Sequence, residues 1–266
     1  MKIITILFAM LVLSGCANPY AKYYFDRTGG VDITKMPNIV QYSGEPRLFN
    51  GQDRDEDAQR LSEDGYVLVG ISSFNGANVD FAKAKSQARD IHAEVVMCYS
   101  SYSGTNSGVM PLTLPNNQTS TTNMTGNAYG SGGYANFNGT ATTTSYGTQT
   151  TYIPYNVRRY EYFASYWARN KPAIFGVRIK DLTDEQRKES NGNKGLAVMT
   201  VIKGSPAFRS DLFKGDILKK IGETDMYEAK DFQAALQKYQ GQNVKVQFVR
   251  DGKEQEKEVQ FNHKPE

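Results

Sequence analysis

Side chains able to do covalent or metal chemistry are few in this chain of 266 residues: two histidines, His92 and His263, and two cysteines, Cys16 and Cys98. A serine-type hydrolase needs an imidazole within reach of its nucleophile. His92 ends a helical pattern, His263 follows the last strand pattern, and no Gly-x-Ser-x-Gly elbow occurs. Zinc needs closely spaced thiolate and imidazole ligands, and these four residues are scattered. The acidic run Asp53 to Asp57 lacks the Gly and terminal Glu of a calcium loop, and no phosphate-cradling Gly loop is present. The residues therefore predict no catalytic group, no metal site and no cofactor. Recognition is the expected activity.

The net charge of +3 comes from interspersed basic and acidic residues, without the concentrated patch that nucleic acid requires, so nucleic acid is excluded as a partner. The length allows two modest domains, each with its own core. The expected fold class is α+β: a small mixed-sheet N-terminal domain carrying a polar hairpin, then a small barrel or sandwich capped by helices.

The elements that must position any binding site are clearest in the C-terminal third. Gly204-Ser205-Pro206-Ala207 reads as a turn and helix start, with Ser as cap and Pro at the first helical position. That helix is predicted to run from Ala207 to Leu212, with Gly215 supplying the φ > 0 that ends it and Asp216-Ile217-Leu218 opening a buried strand. Upstream lie Ile174-Phe175-Gly176-Val177, Asp181-Leu182-Thr183 and Gly195-Leu196-Ala197-Val198. Downstream come a helix from about Ala229 to Tyr239 and a hairpin turning at Asp251-Gly252.

This order of parts, over residues 172–262, resembles a PDZ domain of the type found on HtrA-like proteases. Two stretches depart from the family pattern. Phe208-Arg209-Ser210-Asp211 replaces a small-residue run, and Gly222 to Tyr227 is longer than the usual turn, which leaves the start of the groove helix open. The resemblance implies a peptide site in which an extended chain adds as a strand beside Val177 and its terminal carboxylate meets the backbone amides of Phe175, Gly176 and Val177. The implied peptide-binding residues are Ile174, Phe175, Gly176 and Val177 with Phe232, Ala235 and Leu236 of the helix. Phe232, Ala235, Leu236 and Tyr239 recur at helical spacing, which suits a groove wall and a core face equally.

At the N-terminus, Lys2 is followed by an apolar run from Ile3 to Leu13, too short to span a bilayer, and by Ser14-Gly15. Leu13-Ser14-Gly15-Cys16 resembles the lipobox of bacterial lipoproteins. The resemblance implies a signal peptide over residues 1–15, acylation of Cys16 and a stable membrane anchor, and Ala17 implies the outer membrane. Cys98 lies in the apolar run Val95-Val96-Met97-Cys98-Tyr99 and reads as a buried structural thiol.

Residues 16–64 show no sustained period and read as a lipidated, partly ordered tether, with Asp53 to Asp57 as solvated surface. Its cluster Tyr20, Tyr23, Tyr24 and Phe25 suits either a headgroup layer or packing on the next domain. Residues 65–169 form the expected α/β domain. Tyr66 to Ile71 is a strand, Phe81, Ala84, Ala88 and Ile91 lie on one helix face, and Glu94 to Tyr102 is a second strand. A strand, helix, strand order predicts a crossover, with the two strands parallel or neighbours. Residues 103–151, rich in Thr, Gly, Asn and Tyr, read as an exposed hairpin with its tip at Gly130-Ser131-Gly132-Gly133, disorder being the competing reading. Tyr152 to Trp167 returns to strong strand chemistry; Arg158 and Arg159 beside its aromatics suit either a glycan or anionic-headgroup site or an amphipathic strand with its aromatics in the core and its charges in water.

The functional expectation is a non-enzymatic lipoprotein on the periplasmic side of the outer membrane. It would act as an adaptor or scaffold whose PDZ domain binds C-terminal tails or strands of envelope proteins by β-augmentation. Nothing in the sequence sets an oligomeric state. One alternative is an oligomeric or glycan-binding surface lipoprotein with a vestigial groove, and another is a non-catalytic accessory subunit of a periplasmic protease.

Overall fold

The computed structural model describes residues 17–189 and 192–265. Cys16 and the apolar run before it lie outside the described residues. Among those described, no helix is long and apolar enough to cross a membrane. Two compact units are present, one of residues 17–101 with 161–265 and one of Tyr102–Tyr160.

The first part of the larger unit is built on β1 (Tyr24–Asp26), β2 (Arg47–Asn50), β3 (Tyr66–Gly76) and the inner portions of β4 (Val95–Gly130) and β5 (Gly133–Arg169). Their order across the sheet is β1-β3-β5-β4-β2. β1 runs antiparallel to β3, and β2 runs parallel to β4. Helices α1 (Pro19–Lys22), α2 (Arg54–Glu63) and α3 (Ala82–Asp90) complete it. β3, α3 and β4 do form a crossover within one sheet, but β5 lies between the two strands and they are not neighbours. Cys98 is buried in this sheet, and burial pushes its thiol pKa up to about 12.

The stretch expected to be a tether is instead structural. It supplies both edge strands of the five-stranded sheet, and Tyr20 is 0% exposed with its ring edge-on to Phe74 at 4.9 Å. Asn18 caps α1 by accepting from Tyr20 N at 3.0 Å and ties it to α3 by donating to Lys83 O at 2.8 Å. The acidic run is likewise not simply solvated. Asp53 Oδ1 accepts from Asp55 N and Glu56 N, capping α2, while Asp57 is 5% exposed and accepts from Tyr99 Oη at 3.0 Å. Within the aromatic cluster Tyr20 packs inward, whereas Tyr23 and Phe25 stay exposed.

The second part of the larger unit has β6 (Val177–Asp181), α4 (Asp184–Glu189), β7 (Leu196–Val201), α5 (Pro206–Arg209), β8 (Ile217–Ile221), β9 (Thr224–Asp225), α6 (Ala229–Tyr239), β10 (Asn243–Arg250) and β11 (Lys253–Gln260). The strands run β11-β10-β8-β7-β6, with β9 added to β8. Phe175, Leu196, Leu218, Ile221, Met226, Phe232, Phe248 and Phe261 fill one core, each removal from water stabilising by about 2 kcal/mol. α5 is shorter than predicted because Asp211, at φ 55, turns the chain before the buried Leu212. Gly215, at φ 99, serves the later turn into β8. Asp216 is 2% exposed and takes two 2.7 Å hydrogen bonds from Arg250, which joins the start of β8 to the end of β10.

Residues 102–160 form a two-stranded ribbon, so this stretch is strand rather than disorder, with Ser131-Gly132 as its turn. Thr113 faces Thr150 at 3.1 Å, Thr119 faces Thr144 at 3.3 Å and Asn123 accepts from Thr140 at 3.2 Å. These contacts keep one register along the ribbon. Nearly every described side chain in it is exposed.

Candidate peptide-binding site

The loop before β6 is fixed through its carbonyls. Asn262 donates to Ala173 O from its side chain at 2.8 Å and to Ile174 O from its backbone at 2.9 Å. Ala207 N donates to Phe175 O at 2.9 Å and Ile202 N to Gly176 O at 2.8 Å. With all four carbonyls held by the domain, the N–H groups of Phe175 and Gly176 have no acceptor among the described residues. Gly176 has φ 93, and a Cβ there would lie 2.1 Å from Ser205 Cβ. Only glycine fits both the conformation and the space. Ser205 in turn caps α5 by accepting from Phe208 N at 3.2 Å.

β6 is the last strand of its sheet, paired with β7 on one side. Its other edge has no strand beside it among the described residues, and α6 lies against β6. The start of α6, open in the sequence, is settled by Asp231, whose Oδ2 accepts from Glu228 N at 2.9 Å and Tyr227 N at 3.1 Å. At its other end Tyr239 Oη accepts from Glu223 N at 2.8 Å, and Gly222 leaves room for that ring.

The residues implied for binding divide between floor and surface. Phe175 is 0% exposed, stacked on Phe261 at 4.7 Å and tilted to Phe232 at 6.2 Å. Phe232 and Ala235 belong to the same core, and Val177 lies at its margin. Ile174 and Leu236 are half-buried, packed on that core with one side still open. Ile179 shares this half-buried state and was not singled out in the sequence. Its signal was there, since residues two apart on a strand share a face and Ile179 follows Val177 at that spacing. The intervening Arg178 turns the other way and donates to Tyr66 O at 2.7 Å, and burial lowers its pKa from the ordinary arginine value. An extended peptide could thus find ladder partners on β6, apolar contact with Ile174, Ile179 and Leu236, and free N–H groups for a terminal carboxylate.

A second hollow of about 660 Å³ is lined by Arg47, Arg60, Tyr66, Arg169 and Lys203, among others. Its cations are engaged by the protein itself. Arg47 and Arg169 both reach the buried Glu94, at 2.8 and 3.0 Å, and Lys203 pairs with Asp64 at 2.8 Å. Burial alone would raise the Glu94 pKa, but hydrogen bonds from Arg169 and Tyr66 outweigh it and hold the carboxyl below its usual range. Among the described residues, no group of three His, Cys, Asp or Glu could hold a metal ion.

Residues 173–261 match the family model for the PDZ domain. The Do-like serine protease HtrA of Lactococcus lactis subsp. lactis is 32% identical over 101 residues, which is 35% of this chain and 24% of the protease. Its counterpart from subsp. cremoris is 34% identical over 92 residues, 32% of this chain and 22% of that one. The chain therefore spans about a quarter of the length of these curated relatives. Among solved structures, the HtrA3 PDZ domain bound to a phage-derived ligand (FGRWV) aligns at 19% identity over 33% of this chain and 83% of that one, with a TM-score of 0.29. The HtrA-type protease AlgW with decapeptide aligns at 18% identity over 38% of each chain, with a TM-score of 0.31. The C-terminal part of the chain, residues 173–261, is a PDZ domain similar to those of HtrA-type proteases.

Proposed function

We propose that the chain is a non-enzymatic envelope lipoprotein, anchored through acylated Cys16 to the periplasmic face of the outer membrane. Its PDZ domain serves as an adaptor that captures C-terminal tails of other envelope proteins. The observation that carries this reading is the open edge of β6. That edge lies beside α6 and ends at a loop whose carbonyls are all held by the domain while the Phe175 and Gly176 N–H groups face no acceptor among the described residues. Support for a working groove over a vestigial one comes from the same edge, because no described linker or tail segment pairs with it.

A library of peptides with free C-termini, screened against the full chain, tests the proposal. A subset with an apolar last residue should bind with Kd of about 1 μM, near −8 kcal/mol. Leu236→Lys should weaken every one of them. A library without a single binder, from protein shown to be folded, removes the adaptor reading. Mass spectrometry of the membrane-extracted protein tests the anchor, which requires acyl chains on Cys16.

A further inference from the structure

None of the residues named for the peptide site lies in the ribbon of residues 102–160, and the composition of the ribbon is unusual for a strand pair. From Val95 to Val157 the sequence has no Asp, Glu, Lys, Arg or His. At the usual strand rise each arm is about 90 Å long. A two-stranded ribbon with nothing packed on it is at best marginally stable in water. Open strands of soluble proteins are normally guarded by charge, proline or shortness. Here Pro111, Pro115 and Pro154 guard only the portion nearer the open ends of the ribbon, and residues 116–149 have neither proline nor charge.

From these observations we infer that the ribbon pairs with the ribbon of a second copy of this chain. Identical strands stack like on like, an arrangement that any charged residue would oppose by bringing equal charges together. The ribbon already makes such like pairs across its own two arms: Thr113 with Thr150, Thr119 with Thr144, and Tyr129 with Tyr134 at 5.1 Å between rings. A further copy continues these ladders. Exposed Met110, Leu112, Leu114, Tyr152 and Ile153 lie on the facing stretches of the two arms and would be covered by the same association. An anionic lipid surface or an acidic protein would call for cations along the ribbon, and there are none between Glu94 and Arg158.

The full chain, in density-matched detergent, should sediment as dimers or larger assemblies in a concentration-dependent way. Amide hydrogen exchange within residues 116–149 should slow as the concentration rises. Asn117→Lys, Thr121→Lys and Thr125→Lys together place a positive row on one arm, at exposed positions outside any core, and should make the protein monomeric. The matching Glu variant should also be monomeric, and mixing the two should restore association. Peptide binding by the PDZ domain should be unchanged in both variants, which separates this test from that of the groove. A wild-type chain that stays monomeric throughout overturns the inference, whether or not it binds polysaccharide. So does association that survives the charge rows.

Discussion

The outer edge of β6 and the edges of the 102–160 ribbon are both strands without a neighbouring strand among the described residues, yet they are built differently. β6 has five residues, with charges at Arg178, Lys180 and Asp181, and a packed core behind it. Such an edge accepts a short strand with a suitable end group and resists open-ended pairing. The ribbon is long, has no charge before Arg158 and Arg159 at its open end and no core among the described residues, so no charge along residues 102–157 would stop pairing. On the two proposals above, one chain would hold two strand-pairing surfaces and keep them apart in specificity. The first would be set by a loop and a helix, the second by like-with-like side chains.

The two edges should part most clearly when the core behind β6 is disturbed. Asp216→Ala leaves Arg250 without its buried partner and should destabilise the PDZ domain by about 3 kcal/mol. Chemical denaturation should show the loss and peptide binding should fall with it, while the ribbon's sedimentation behaviour stays as it was. Gly176→Ala should cost about 2 kcal/mol, because the residue is at φ 93 against Ser205. It should abolish peptide binding even at temperatures where the domain remains folded.

Glu94→Gln acts in the five-stranded sheet, which should lose stability without any change in binding at either edge. The expected loss is about 2 kcal/mol at neutral pH, below that of a fully buried pair because both arginines are nearly half exposed. The Glu94 pKa is lowered by folding, so its contribution is present above the unfolded carboxyl pKa and is lost as pH falls through the folded value. Thermal melts of wild type and variant should therefore converge in acid. Ile179→Lys should be the mildest. Loss of its packing on the core should cost about 1 kcal/mol of stability, whereas peptide affinity should drop about tenfold, or 1.4 kcal/mol.

Legibility in the sequence followed how local each signal was. The Ser205 cap, the Gly176 loop and the Asp251-Gly252 turn each announce themselves within a few residues, and the PDZ domain could be read from them. β1 and β2 could not, because strands of three and four residues gain their identity only from partners β3 and β4 far along the chain. Asp57 read as surface because its partner Tyr99 lies in another element. The crossover from β3 to β4 was legible, but the insertion of β5 between them depends on where the ribbon's second arm returns. In the groove, helical spacing could not separate Leu236 from Phe232 and Ala235. Only the packing of Phe175 against Phe232 and Phe261 makes those two floor and leaves Leu236 at the surface.

If the Ile174 to Val177 loop receives a chain end, affinity must depend on a free terminal carboxylate. Calorimetric titration of the full chain with one apolar-ended peptide, as free acid and as C-terminal amide, measures that dependence. The acid should bind at about 1 μM and the amide at least about tenfold, 1.4 kcal/mol, more weakly. Equal affinity for the two forms would contradict capture of a chain end, and would mean that the edge of β6 pairs with strands regardless of how they end.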